Sequence, residues 1–506
     1  MNFHFLKETL LVINSLAVLM LLVYGVNCYV LLWMYRKKRK AVKRTLQEYL
    51  NNFWENHIFA DLPRVTTQLP VYNEKYVAVR LLQMALKMKY PQDRHQIQVL
   101  DDSSDETCEL LRAAVEEARK QGYDAVYLHR PERSGFKAGA LAYGLAQATG
   151  EYVAVFDADF LPQEDFLLNT IPFFVENTQL GLVQARWGYV NRDYSLLTKT
   201  QCLAVDAHFI IEQNARTYNG LYMNFNGTAG VWKKQAVDSS GGWQSDTLTE
   251  DLDLSYRVQM HGWETLYLDN VVVPSEIPVE VRDFKAQQFR WAKGSIQTAG
   301  KIFPLVLKSG DSLFRKFEAL LHLTGYMVHP LMVLVVILSI PSALFFADLR
   351  FSWLGILGYL ISVATMGPTI MYIYAQRELH RDWKTRILLL PSFIAIGIGI
   401  AVNNSKAVLE AVFGIKTPFI RTPKYGITDR QKSVLIPAYR LPADWVALWE
   451  ILLGLYCLAG VWVAYLHREL VMAPWLFLYA GGFLYIGLFS WLPGLGLKKS
   501  REILKK

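Results

Sequence analysis

Only four of the 506 residues are cysteine, and they are scattered: Cys28 and Cys457 sit in apolar runs, while Cys108 and Cys202 stand alone. No spacing of the kind that builds a zinc site or a disulfide framework is present. Glycine-rich phosphate loops are missing too. No Gly-x-Gly-x-x-Gly follows the first strand-like segment and no Walker sequence occurs, which argues against a dinucleotide-binding dehydrogenase or a P-loop kinase. Charge is scarce at 19%, against 52% apolar and 13% aromatic residues. A chain of this length and composition exceeds one ordinary domain and is too apolar to be wholly soluble, so it divides between water and lipid. The net charge of +8 is not a nucleic-acid stripe, because the positive residues gather beside apolar runs, as in Arg36-Lys37-Lys38-Arg39-Lys40. No basic face with interleaved aromatics accompanies them, and no nucleic-acid partner is expected.

The apolar runs set the topology. Residues 1–35 read as a transmembrane anchor with its N-terminus outside, since the basic cluster follows the run rather than preceding it. Residues 36–62 read as an amphipathic interfacial linker, with Phe53, Trp54 and Phe59 as anchors. Spans are expected near 322–346, 352–375, 444–466 and 472–492, within a membrane region that covers 311–506. The shorter run at 387–412 has basic residues on both flanks, so it is expected at the interface, before a basic loop at 413–443. Five crossings result, with the lipid bilayer as a partner and the soluble block in the cytoplasm, at a bacterial inner membrane or, in a eukaryote, the Golgi. Glu450 and Asn403-Asn404 are expensive in lipid and are expected to face protein or a water-filled path.

Residues 63–310 carry a different pattern, in which strand-like segments at 65–71, 97–100, 125–128 and 152–156 alternate with helix-like segments near 75–89, 105–121 and 135–149. Alternation with short connections predicts a mostly parallel, doubly wound sheet. The strands end in Pro70-Val-Tyr-Asn-Glu74, in Asp101-Asp102 and in Asp157-Ala158-Asp159, which places three polar tips on one edge, where open α/β sheets bind ligands. Two carboxylates one residue apart can hold a divalent cation, Mg2+ or Mn2+, that keeps positions open for diphosphate oxygens. Without a backbone phosphate cradle, cationic side chains are needed as well, and Arg133 and Lys137 open a helix beside the third strand.

Farther along, Val183-Gln-Ala-Arg-Trp187 and Phe225-Asn-Gly-Thr-Ala-Gly-Val-Trp232 show little periodicity and read as binding surface. Thr249 can cap a helix whose first turn holds Glu250, Asp251 and Asp253. One carboxylate there suits a general base aimed at a hydroxyl.

In this order, spaced aspartates, an Asp-x-Asp, Thr249-Glu250-Asp251 and Gln287-Gln-Phe-Arg290-Trp291 resemble the processive family 2 glycosyltransferases. The strings at 183–187, 225–232 and 287–291 are most similar to the cellulose-synthase-like A group, the mannan and glucomannan synthases. The resemblance covers about residues 65–300. It implies an α/β domain of the GT-A, Rossmann-like doubly wound type inserted between transmembrane helices. It also implies roles: Asp101 and Asp102 on the nucleoside; Asp157 and Asp159 on the metal; Lys137, Gln287 and Arg290 on the donor diphosphate; Asp251 as base. Trp291, Phe225, Asn226, Gly227 and Glu250 fall on the acceptor side.

Phe419-Ile-Arg-Thr422-Pro-Lys424 resembles the gating loop of cellulose synthases, with arginine where that pattern has valine. The implied activity is inverting, processive β-glycosyl transfer from a nucleotide sugar, GDP-mannose or UDP-glucose, onto a growing polysaccharide that passes through the helices. The alternatives are a non-processive ceramide or diacylglycerol glucosyltransferase, and a channel or scaffold with a degenerate transferase domain.

Overall fold

Polar residues crowd the first two strands, yet both strands are buried along their whole length. Cross-strand hydrogen bonds make this tolerable: Thr66 Oγ1 donates to Gln96 Oε1 at 3.0 Å, Gln68 Nε2 to Gln98 Oε1 at 3.0 Å, and Thr67 Oγ1 meets His95 Nε2 at 2.8 Å. The computed structural model of the protein describes residues 3–345, 353–417, 421–427, 444–466 and 473–491. In it, β1 (Val65–Val71), β2 (His95–Asp101), β3 (Asp124–His129), β4 (Tyr152–Val155), β5 (Leu180–Tyr189), β6 (Gly230–Lys233) and β7 (Glu264–Ser275) form one sheet in the order β3-β2-β1-β4-β6-β5-β7. Helices cover both faces. Leu81, Leu111 and Val115 pack on one side, and Leu141, Leu145, Leu254 and Val258 on the other.

β1 to β4 are mutually parallel, as expected, but β6 runs antiparallel to both β4 and β5 in the middle of the sheet. Residues 230–232, read from the sequence as binding surface, are therefore core, with Trp232 paired opposite Val153 and Leu182. Val183, Gln184 and Ala185 are likewise buried in β5. A four-residue strand with no exposed face has no period to display.

The anchor and linker expected to part at residue 35 are one helix, Phe3–Asn56, of 54 residues. At 1.5 Å per residue it is about 80 Å long, enough to cross a bilayer and continue into the soluble domain. Leu50 and Phe53 are buried in that domain's core beside Val65 and Phe173, and Tyr49 stacks on Phe173 at 4.8 Å while its hydroxyl donates to Pro172 O at 3.0 Å. Phe53 is thus a core residue, because its end of the helix is covered by protein; Phe59 is exposed.

By length and composition, Lys7–Asn56, Trp383–Val412, Val446–Leu466 and Ala473–Trp491 can each cross a membrane, and Leu313–Leu323 with Gly325–Pro341, bent by 55°, would make a fifth span. Trp353–Leu379 adds another long helix. The polar groups within this region turn inward. Lys285 Nζ lies 2.8 Å from Glu450 Oε1, Asn403 Nδ2 donates to Lys285 O at 3.1 Å, and Asn404 Nδ2 meets His329 Nε2 at 3.0 Å. Ile396 and Ile400 pack with Val281 and Phe284, which ties the 387–412 segment to the Val281–Lys308 helix.

Candidate active site

β4 ends at Val155, and Asp157 and Asp159 project from the turn that follows. Lys137 Nζ lies 2.5 Å from Asp157 Oδ1 and donates to Gly227 O at 2.8 Å. Burial works against its charge, but Asp157 and Glu250 outweigh that and raise its pKa. Asp159 is buried and takes Lys424 Nζ at 2.8 Å. Two carboxylates countered by two ammonium groups mark a place built for positive charge. Hard oxygen donors in such a pair suit Mg2+ or Mn2+ rather than a soft metal. Asp157 and Asp159 therefore fit a divalent cation.

Asp102 and Asp101 separate in their partners. Arg130 grips Asp102 with two bonds, Nε to Oδ1 at 2.8 Å and Nη2 to Oδ2 at 2.5 Å, leaving the pair at the sheet edge. Asp101 is fully buried beneath it, accepting from Ser103 N–H at 2.9 Å and Tyr127 hydroxyl at 2.6 Å. Its carboxylate is spent on these donors and shapes the loop that carries Asp102. Cys108 and His129 approach Asp101 closely enough that these three form the metal-compatible grouping of three ligands among the described residues, but Asp101 there already has protein donors. Arg133, expected beside the phosphates, lies 3.4 Å above the Tyr72 ring.

The 225–229 loop crosses the other wall of the cleft. Gln184, part of the 183–187 string read as binding surface, holds it from below: Nε2 donates to Thr228 O and Ala229 O at 3.1 and 3.0 Å, and Oε1 accepts from Asn226 N–H at 2.9 Å. Gly227 has φ of +83°, and a Cβ there would meet Asp251 Oδ2 at 2.9 Å, so glycine lets the loop touch the acid. Phe225 does not line the cleft. It is fully buried, edge-on to Trp232 at 5.2 Å, because its ring is what roots the loop in the core.

Asp251 opens the Glu250–Met260 helix. Burial and the neighbouring Glu250 push its pKa up to about 7, and burial raises Glu250 as well. Thr249 does not cap this helix. Its hydroxyl meets Thr298 Oγ1 at 3.1 Å, drawn aside by close packing on Gly294, where a Cβ would come within 2.5 Å of Thr249 Cγ2. That contact fixes the acids against the Val281–Lys308 helix, which brings Arg290 into the field of Glu250, Asp157 and Asp251. Gln287 and Trp291 are half-buried on the same helix. Trp291 lies 6.5 Å from Trp187, which packs on Phe160 and Phe209 at 5.2 and 5.3 Å.

Residues 421–427 lie across the edge as a strap. Arg421 donates to Tyr72 O at 2.6 Å and Asn73 O at 2.9 Å and pairs with Glu74. Lys424 donates to Asp159 and to Glu276 O at 2.9 Å, while the Glu276 carboxylate receives Tyr425 N–H and Gly426 N–H at 3.0 and 2.8 Å. The arginine that departs from the gating pattern is thus an anchor. Thr422 is buried, and its hydroxyl has no partner among the described residues. Phe419 lies outside the described residues.

Residues 63–294 match the model of a family described as Glycosyltransferase like family 2. The chain is 33% identical over 411 residues to Glucomannan 4-beta-mannosyltransferase 7 of Arabidopsis thaliana, which spans 79% of this chain and 71% of that one. It is 36% identical over 381 residues to Glucomannan 4-beta-mannosyltransferase 1 of Oryza sativa subsp. japonica, spanning 73% and 71%. Among solved structures, a mannosyltransferase of Pyrobaculum calidifontis in complex with GDP-Man and Mn2+ aligns at 19% identity with a TM-score of 0.48, covering 80% of this chain and all of that one.

Proposed function

We propose, from the premise that this chain belongs to glycosyltransferase family 2 and within it to the cellulose-synthase-like A group, that it polymerises hexose from a nucleotide sugar into a β-linked mannan or glucomannan. GDP-mannose is the favoured donor, in keeping with the relatives named as mannosyltransferases, and UDP-glucose is the second donor. One observation carries the reading: Lys137 joins Asp157 to Gly227 O, and Asp251 packs so close to Gly227 that a Cβ there would meet its carboxylate at 2.9 Å.

Asp251 accepts the proton of the acceptor hydroxyl, which attacks the anomeric carbon from the side opposite the departing diphosphate and so inverts it. A base with a pKa near 7 is matched to that task at neutral pH. Lys137 and Arg290 counter the charge on the leaving group. A divalent cation on Asp157 and Asp159 would supply further neutralisation there. Asp102, oriented by Arg130, faces the nucleoside. Asn226, Gly227, Glu250 and Trp291 border the acceptor, and Gln287 sits with Arg290. Thr422 and Lys424 close over the donor as a gate.

The protein sits in a membrane with its N-terminus outside, and the growing polysaccharide leaves between the helices. Purified protein should be incubated with GDP-mannose or UDP-glucose and the product digested with a β-1,4-mannanase or a β-1,4-glucanase. Mannanase-sensitive polymer is expected. A single-sugar product extractable into organic solvent would overturn polymerisation, and inertness toward both donors would overturn the transferase reading.

A further inference from the structure

Between Leu196 and Tyr218 the chain is helical throughout, but His208–Gln213 is a π-helical turn. Such insertions cost regular hydrogen bonding and gather at functional sites, because one extra residue in the turn re-aims the side chains that follow. Here they re-aim toward the loop that touches the base. Asn226 Nδ2 donates to His208 Nε2 at 3.0 Å, and Gln213 Nε2 donates to Asn226 Oδ1 at 2.7 Å. With Nε2 accepting, the imidazole proton sits on Nδ1, which lies 2.9 Å from Glu212 Oε2. Burial alone would raise the Glu212 carboxyl, but Arg216, whose Nε donates to Oε1 at 2.9 Å, and His208 hold it well below the usual range. Glu212 is therefore an anion.

This chain is not sealed in the core. The His208 and Glu212 side chains keep 27% and 22% of their surface. Phe209, the next residue, carries the aromatic layer that runs through Trp187 to Trp291. An apolar aromatic wall beside a fixed set of hydrogen-bonding groups is what a pyranose requires, with its C–H face on the rings and its hydroxyls on the polar groups. An amide also has two N–H bonds, and His208 uses one of those on Asn226.

We propose that His208 and Glu212, with the remaining amide hydrogen of Asn226, form a subsite for the hydroxyls of the pyranose at the end of the acceptor chain. The subsite rests on the polysaccharide reading above. Its role is to hold the acceptor's sugar in register with Asp251, so it acts on acceptor binding and not on the donor.

The test uses the full-length protein in detergent. Binding of β-1,4-mannohexaose and cellohexaose is followed by intrinsic tryptophan fluorescence, and GDP binding by calorimetry. His208→Ala and Glu212→Gln should each weaken the better-bound hexasaccharide about tenfold or more, the range expected when a hydrogen bond to a charged group is lost. GDP affinity should stay within twofold. His208→Gln, which can still accept from Asn226, should recover most of the binding. Glu212→Gln keeps the side-chain shape and guards against a folding defect in His208→Ala. Unchanged hexasaccharide affinity, a parallel loss of GDP affinity, or a wild-type protein that binds neither hexasaccharide would overturn the subsite. Wild-type failure to transfer from either donor would instead overturn the functional reading.

Discussion

Lys424 Nζ sits 2.8 Å from Asp159 Oδ2 across 265 residues of sequence, so an ammonium group occupies the carboxylate that a donor-bound cation would need. The two positive charges compete for one anion. Lys424→Ala should bind Mn2+ about fivefold more tightly in the presence of GDP, the order of magnitude of one weak ion pair. Electron paramagnetic resonance of free Mn2+ measures this directly. Unchanged or weaker Mn2+ binding would remove Lys424 from the metal's surroundings.

Asp251 gives a pH signature with two arms. In the role of base proposed above Asp251 works ionised, and with its pKa raised to about 7, turnover at saturating donor should climb with pH and level off above that value. Stability moves the other way. The folded state keeps a proton that the unfolded chain releases near pH 4, so this group's favourable contribution is present at low pH and is lost as pH rises through about 7. Asp251→Asn should therefore lower transfer by roughly 10² to 10⁴, retain GDP binding, and melt above the wild type at pH 8 but not at pH 4. Equal melting temperatures at both pH values would place the carboxyl in an ordinary, solvated setting.

Phe225 belongs to the core, and its replacement should behave accordingly. Phe225→Ala is expected to destabilise the protein by about 3–5 kcal/mol, as large-to-small changes in packed cores do. Phe225→Leu should lose far less, and GDP affinity per folded molecule should not change in either. Thermal melting alongside calorimetry separates the two effects. A selective loss of acceptor binding at wild-type melting temperature would return Phe225 to the cleft.

These outcomes follow how the residues could be read. The parallel strands β1, β2 and β4 and their acidic tips were legible because strand-like segments alternate with helix-like ones and end abruptly in charge, a contrast that survives without coordinates. β6 was not, since four buried residues carry no alternation. Asp101 and Asp102 look identical in sequence, and only the direction of successive side chains separates the one held by Ser103 and Tyr127 from the one held by Arg130. Gln184 and His208 reach the 225–229 loop across 42 and 18 residues of sequence, contacts that no local pattern encodes. Arg421 appeared as a departure from a motif, and the structure makes it an anchor of the strap.

Lys285 and Glu450 join the Val281–Lys308 helix to the Val446–Leu466 helix through a buried ion pair. Glu450→Ala strands the ammonium, and removal of one partner from a buried pair costs about 3–5 kcal/mol. The double change Lys285→Met with Glu450→Leu should recover most of that loss, because no charge is left without a partner. Melting temperatures of the three variants in one detergent measure the coupling. If Glu450→Ala melts like the wild type, the pair contributes nothing to holding the two helices together.

Trp291 stands one residue beyond Arg290 on the same helix, and the proposed function assigns the two side chains to acceptor and donor respectively. Arg290 lies in the field of Glu250, Asp157 and Asp251. Trp291 instead joins Trp187 at 6.5 Å, at the end of the aromatic layer. A polymerising enzyme must keep its product between additions and still let it advance by one unit. A ring face meets both needs, since a pyranose packs on it without fixed hydrogen bonds, and aromatic packing adds about 0.5–1.5 kcal/mol beyond the area buried. Trp291→Ala should therefore cut polymer yield and mean chain length strongly while GDP affinity stays near the wild-type value. Incorporation of radiolabelled sugar, product sizing and calorimetry on one preparation test this. Full-length polymer at normal yield from Trp291→Ala would reduce the tryptophan to an anchor at the membrane surface.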